Sequence, residues 1–121
     1  MRNFKVNKLY QELLHSKVDL AREKLRGFPE ILFCKGKKIK QILEIMQSLH
    51  KNNQGILATK ANKKIFSVVK KVFKKARYHD DARIITVANG RKTRRSQNRI
   101  LIITAGTSDI SIAEEAAVTS E

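Results

Sequence analysis

The stretch EILFCKGKKIKQILEIMQSLHKNNQGILAT, Glu30 to Thr59, changes its apolar rhythm twice. EILFCKG is a short run bounded by glycine, which reads as a buried strand. KKIKQILEIMQSLHKNN then places Ile39, Ile42, Leu43, Met46 and Leu49 at intervals of three and four residues, the spacing of an amphipathic helix lying on a flat apolar surface. The helix is expected to end between Asn52 and Gly55, and GILAT is strand-like again. Outward from there, NKKIFSVVKKVFKKAR supplies a second amphipathic helix through Ile65, Phe66, Val69, Val72 and Phe73, and ARIITVA a third strand. Strand, helix, strand, helix, strand is the order of crossover units on a parallel sheet. The expected fold class is therefore α/β, a small N-terminal domain of alternating strands and helices.

Upstream, Leu9, Leu13 and Leu14 recur at helical spacing, so a first helix is expected between Val6 and Leu25, stopped at the latest by Gly27, Phe28 and Pro29. Downstream, NGRKTRRSQNR opens on an Asn-Gly turn signal, contains five basic residues and no apolar one, and reads as a linker. The four aliphatics Ile100 to Ile103 then suggest a buried strand, Gly106 to Asp109 a polar turn, and Ile110 onward a helix. The chain thus divides into an α/β domain over 1–88, a basic linker over 89–99, and over 100–121 the first strand and helix of a further Rossmann-type domain.

With 121 residues the chain has room for one full domain. Its 41% hydrophobic and 31% charged residues mark a globular rather than a disordered polymer, and its longest apolar run is far too short to span a bilayer. No signal-peptide pattern follows Met1, and the single cysteine, Cys34, can form no internal disulfide, so a reduced cytoplasmic setting without membrane attachment is expected. Lys and Arg number 26 against 11 Asp and Glu, a net charge of +15. Such an excess suits a polyanionic or phosphorylated partner, although lysines between the apolar positions of a helix are also how an ordinary solvated face looks. Phe66 and Phe73 fall on the buried side and form no base-stacking platform. A small nucleic-acid-binding module using Lys70, Lys74, Arg91, Arg94 and Arg95 remains the competing reading, and an inactive fragment a third. His15, His50 and His79 show no ligand spacing, and no metal site is expected from protein side chains.

Gly106, Thr107, Ser108 and Asp109 form the densest chemical motif. Glycine admits a ligand close to the backbone, the two hydroxyls can donate to phosphate or carboxylate oxygens, and the following helix offers unpaired N–H groups at its positive end. Asp109 suits a sugar hydroxyl, a metal ion or a cationic ring better than a phosphate. Ser108 or Asp109 could equally cap the helix, with Ser111 and Glu114 as a capping box.

Two stretches, VDLAREKLRGFPEILFCKGK and TAGTSDISIAEEAAVTSE, with ILATK and YHDDAR between them, resemble the LarB family. Asp19, Arg22, Gly27, Phe28, Pro29, Glu30, Phe33, Gly36 and Lys37 fall in register, while Lys60 stands where arginine would be expected. LarB enzymes begin nickel-pincer cofactor synthesis and carry a catalytic domain related to the AIR carboxylase PurE. The resemblance implies a full-length enzyme that carboxylates the pyridinium ring of nicotinic acid adenine dinucleotide and hydrolyses its phosphoanhydride, releasing AMP. It implies carbon dioxide or bicarbonate as co-substrate, no prosthetic group, magnesium as a candidate ion, and a homo-oligomer. Gly106, Thr107, Ser108 and Asp109 would line the substrate pocket, and Arg22 and Lys37 would neutralise phosphates, with a surface ion pair between Asp19 and Arg22 as the alternative. The nucleophilic cysteine of the family lies downstream of the GTSD motif, so no catalytic residue is expected here. Cys34 reads as a small core residue, and the chain as the front part of a longer protein.

Overall fold

The computed structural model describes residues 6–7, 10–22, 26, 28, 30–90 and 97–121. Strands β4 (Ile31–Phe33) and β5 (Ile56–Thr59) flank helix α1 (Ile39–Lys51) and pair in parallel, as the rhythm of this stretch requires. Gln41 Oε1 accepts the Lys38 N–H at 2.9 Å at the start of α1, and Asn53, at φ 56°, turns the chain out of it. Helix α2 (Lys63–Val72) starts where Asn62 Oδ1 accepts the Ile65 N–H at 2.8 Å.

Beyond α2 the sheet departs from an all-parallel plan. Strand β6 (Arg77–His79) comes first, then β7 (Ile84–Val87) pairs antiparallel to both β6 and β5, giving the order β4-β5-β7-β6. The crossover from β5 through α2 therefore places β6 parallel to β5 but one position away. Strand β7 folds back as a hairpin into the gap and runs the other way.

Residue pairing separates the two faces of this sheet. Leu32, Ala58 and Ile85 lie side by side, and Ile56 pairs with Val87 on the same face. These residues are buried against Ile42, Ile45, Met46 and Leu49 of α1 and Ile65 and Val69 of α2. Full burial of each such side chain contributes about 1.5 to 3 kcal/mol, so this layer holds the domain together. On the opposite face Ile31 and Phe33, on edge strand β4, stay exposed.

The expected helix between Val6 and Leu25 is not formed. Strands β1 (Val6–Asn7), β2 (Tyr10–Glu12) and β3 (Lys17–Asp19) make an antiparallel meander instead. The Leu13 N–H bonds the Ser16 carbonyl at 2.7 Å to close the β2–β3 turn, and Leu14 projects into solvent at 76% exposure. Val18 is buried in the core, Ser48 of α1 donates to Gln11, and Gln54 Nε2 donates to the Leu20 carbonyl at 3.0 Å. Tertiary pairing thus overrides a helical spacing built on three leucines. Leu9, Leu25, Gly27 and Pro29 lie outside the described residues.

Residues 100–103 form no strand. Ile100, Leu101 and Ile103 are 70%, 82% and 83% exposed, because no strand among the described residues pairs with them. A 3-10 turn at Thr107–Asp109 leads into helix α3 (Ile110–Ser120), as the GTSD-AEEAA pattern suggests.

Candidate functional site

Asp19 ends β3, and its Oδ1 accepts the backbone N–H groups of Ala21 at 3.0 Å and Arg22 at 3.1 Å. That local turn aims Arg22 at Glu30, which stands just before β4. The Arg22 Nε lies 2.9 Å from Glu30 Oε2 and 3.7 Å from Asp19 Oδ2. The expected Asp19–Arg22 pair exists, but Glu30 is the nearer partner. Both Arg22 Nε and Glu30 Oε2 are shielded from solvent, and their contact is not directed as a hydrogen bond, so each keeps hydrogen-bonding capacity.

Lys37 approaches the same place from the other end of β4. Gly36, at φ 81°, takes the left-handed turn that an L side chain resists, and the Lys37 N–H bonds the Cys34 carbonyl at 3.1 Å. The ammonium thereby folds back and donates to the Phe33 carbonyl at 2.8 Å. Glu30, Phe33 and Lys37 line a cleft of about 340 Å³ together with Ser16 of the β2–β3 turn and Lys17 at the start of β3. Arg22 is not among the residues that line the cleft and reaches it only through its ion pair with Glu30, whereas Lys37 lines it directly. Ser16, whose buried hydroxyl has no partner, and Lys17, whose ammonium sits 3.6 Å from the Tyr10 ring centre, escaped the sequence analysis. Only recognition of the N-terminal meander would have put them there.

Gly106, Thr107, Ser108 and Asp109 are not part of that cleft. All four are exposed, at the start of α3. Gly106, at φ 98°, makes the bend, and the Asp109 N–H bonds the Gly106 carbonyl at 3.3 Å. Asp109 occupies the N-cap position of α3, yet its side chain makes no capping hydrogen bond. The carboxylate is therefore not committed to the helix. Helix α3 is tied to the α/β domain by an ion pair between Glu115 and Lys60, which follows β5 in a left-handed conformation at φ 53°.

Cys34 is 2% exposed, and burial pushes its thiol up to about 11, against a smaller opposing effect of the Lys37 charge. Such a thiol is not ionised near neutrality and is no nucleophile. His15 faces Glu44 at 3.4 Å, His50 meets the edge of Phe73, and His79 Nε2 lies 3.1 Å from Thr86 Oγ1, so the histidines stay scattered. Among the described residues no three His, Cys, Asp or Glu side chains converge, and no helix is long and apolar enough to cross a membrane.

The sequence profile of the LarB/PurE-like N-terminal domain matches residues 10–89. The chain belongs to this family. An uncharacterized protein of Methanocaldococcus jannaschii, MJ0165, is 33% identical over 110 residues, covering 87% of this chain and 43% of that protein. The chain thus spans less than half the length of this curated relative. Within the LarB/PurE-like domain lie Asp19, Arg22, Glu30 and Lys37 with the whole cleft around them, as well as Lys60 and Cys34. Gly106 to Asp109 fall beyond the matched residues. In this chain the LarB/PurE-like N-terminal domain is a mixed α/β sheet domain with Glu30 and Lys37 at the two ends of edge strand β4.

Proposed function

We propose that this chain is the N-terminal portion of a LarB-like enzyme of nickel-pincer cofactor synthesis. The enzyme would carboxylate the pyridinium ring of nicotinic acid adenine dinucleotide and hydrolyse its phosphoanhydride to release AMP. The family match over residues 10–89 is the observation that carries this reading. An electron-poor pyridinium does not attack carbon dioxide until a nucleophile adds to the ring and turns one carbon enamine-like. Cys34, buried and protonated, does not supply that nucleophile. The thiolate belongs to a catalytic domain that acts with this chain, in a homo-oligomeric enzyme of the cytoplasm.

The residues here would bind and orient. Arg22 keeps an unsatisfied Nε, and Lys37 presents an ammonium with donors beyond its bond to Phe33, so both suit a phosphate or carboxylate oxygen. Thr107 and Ser108 bring hydroxyls to an exposed helix start, and the uncapped Asp109 carboxylate suits a ribose hydroxyl or the cationic ring. A magnesium ion, implied by the resemblance, would be held by one or two carboxylates together with the phosphate oxygens of the substrate.

Calorimetric titration tests the residue roles. The chain is joined ahead of the catalytic domain of a LarB-family enzyme and titrated with nicotinic acid adenine dinucleotide. Arg22→Ala, Lys37→Ala and Asp109→Ala should each weaken binding by roughly 1.5 to 3 kcal/mol, at least tenfold. Unchanged affinity in all three folded variants would remove these residues from the substrate site.

A further inference from the structure

Two clefts of about 530 and 790 Å³ border on each other at Lys74, Lys75 and the Val87–Asn89 segment, and together make up one grooved surface. It runs past the C-terminal ends of α1 and α2 and across the end of β7. Lys51 enters it from α1, Lys74 and Lys75 from the α2–β6 turn, and Arg77 from β6; Glu121 is the one carboxylate among its lining residues. Lys70 also lines it, but its ammonium donates to the carbonyls of Lys74 and Ala76, both at 2.8 Å, and so serves the end of α2. Among the described residues Lys51, Lys74, Lys75 and Arg77 form no ion pair, whereas Arg22, Lys60 and Lys63 do. Four uncompensated cations converging on a concavity differ from lysines spread over a solvated helix face, where each would point to a separate patch of water.

We propose that this groove binds the phosphate backbone of a single-stranded nucleic acid. Four cations in succession exceed what the two phosphates of a dinucleotide require. Small residues, Gly55, Ala76 and Ala88, are among those lining the groove, so little side-chain bulk there opposes the close approach of a single strand. The rings along the groove are His50 and the buried Phe73, which already meet edge-on at 5.5 Å. Base stacking is therefore minor, and recognition is electrostatic and insensitive to sequence. The site is separate from the Glu30–Lys37 cleft and does not depend on the enzymatic reading.

Fluorescence anisotropy with the full 121-residue chain and a labelled oligouridylate of about a dozen nucleotides tests the proposal. With four phosphates neutralised, log K should fall against log salt with a slope of about −3. Combining Lys74→Gln with Lys75→Gln should make that slope shallower by about 1.4 and weaken binding at low salt. Combining Lys40→Gln with Lys64→Gln removes the same charge from exposed sites outside the groove and should change neither quantity appreciably. Equal losses in the two double variants would show that net charge, not the groove, attracts the RNA. Tighter binding of duplex DNA, or displacement of the RNA by equimolar inorganic polyphosphate or nicotinic acid adenine dinucleotide, would assign the groove another ligand and overturn the proposal, as would absence of binding at low salt.

Discussion

Asp109→Ala and Asn62→Ala together decide whether the GTSD motif is a helix cap. Both residues hold N-cap positions, but Asn62 Oδ1 accepts the Ile65 N–H at 2.8 Å and the Asp109 side chain makes no capping bond. Loss of a working cap costs about 1 kcal/mol, within a range of about 0.5 to 2. Asn62→Ala should therefore speed amide exchange across α2 about fivefold, since about 1.4 kcal/mol is a factor of ten, and lower Tm by about 4 to 8 °C. Asp109→Ala removes no such bond. Its α3 amides should exchange within about twofold of the parent at 0.15 M salt, where the attraction between the carboxylate and the helix dipole is screened. Hydrogen exchange followed by NMR on both variants reads α2 and α3 separately, which a global melt does not. A quickening confined to α2, in Asn62→Ala alone, fits the structure. If exchange in α3 quickens about fivefold in Asp109→Ala, the carboxylate is a cap and the ligand role assigned to it loses its support.

Met46, a fully buried core residue of α1, should cost about 2 to 5 kcal/mol when truncated to alanine, measured by urea denaturation; a smaller loss would mean that the core collapses around the cavity. The Cys34 thiol, ordinarily near 9 and held up to about 11 in the fold, stays protonated in the folded chain while the unfolded chain ionises, so stability is full below about pH 9 and falls as pH rises toward 11. Cys34→Ser should flatten that alkaline limb of a stability–pH curve; an unaltered limb would refute the burial argument. Amides of Ile100 to Glu121 should exchange faster than those of Ile65 to Val72, because the former segment leaves Ile100, Leu101, Ile103 and Ile112 exposed; equal protection would mean that the packing is tighter than the structure shows.

Helices α1 and α2 were legible because Ile39, Ile42, Met46 and Leu49, and likewise Ile65 and Val69, repeat over several turns on one side. Repetition over that length leaves few alternatives. The N-terminal meander was not legible, since strands of two or three residues are too short to show alternation while Leu9, Leu13 and Leu14 happen to fit a helix. Strand β6, reading Arg-Tyr-His, has no apolar run either, and missing it made β7 look like a third parallel strand. Ile100 to Ile103 carries a strong strand pattern that needs a partner edge, and composition alone does not say whether one is present. The cleft shows the same division. Arg22, Glu30 and Lys37 were legible by resemblance, but their meeting depends on Gly36 and on the Asp19 turn, and Ser16 and Lys17 arrive through a meander that the apolar spacing concealed.

The central claim, that this LarB-family domain serves carboxylation of a pyridinium dinucleotide, is tested most directly by mass spectrometry of the reaction product. The chain alone, and the chain joined ahead of a LarB-family catalytic domain, are each incubated with nicotinic acid adenine dinucleotide and bicarbonate. The joined protein should yield pyridinium-3,5-biscarboxylic acid mononucleotide and AMP, and the chain alone no biscarboxylated product, because Cys34 is buried and protonated. Biscarboxylated product from the chain alone, or a folded joined protein that leaves the dinucleotide untouched while the parent LarB enzyme converts it, would contradict the account.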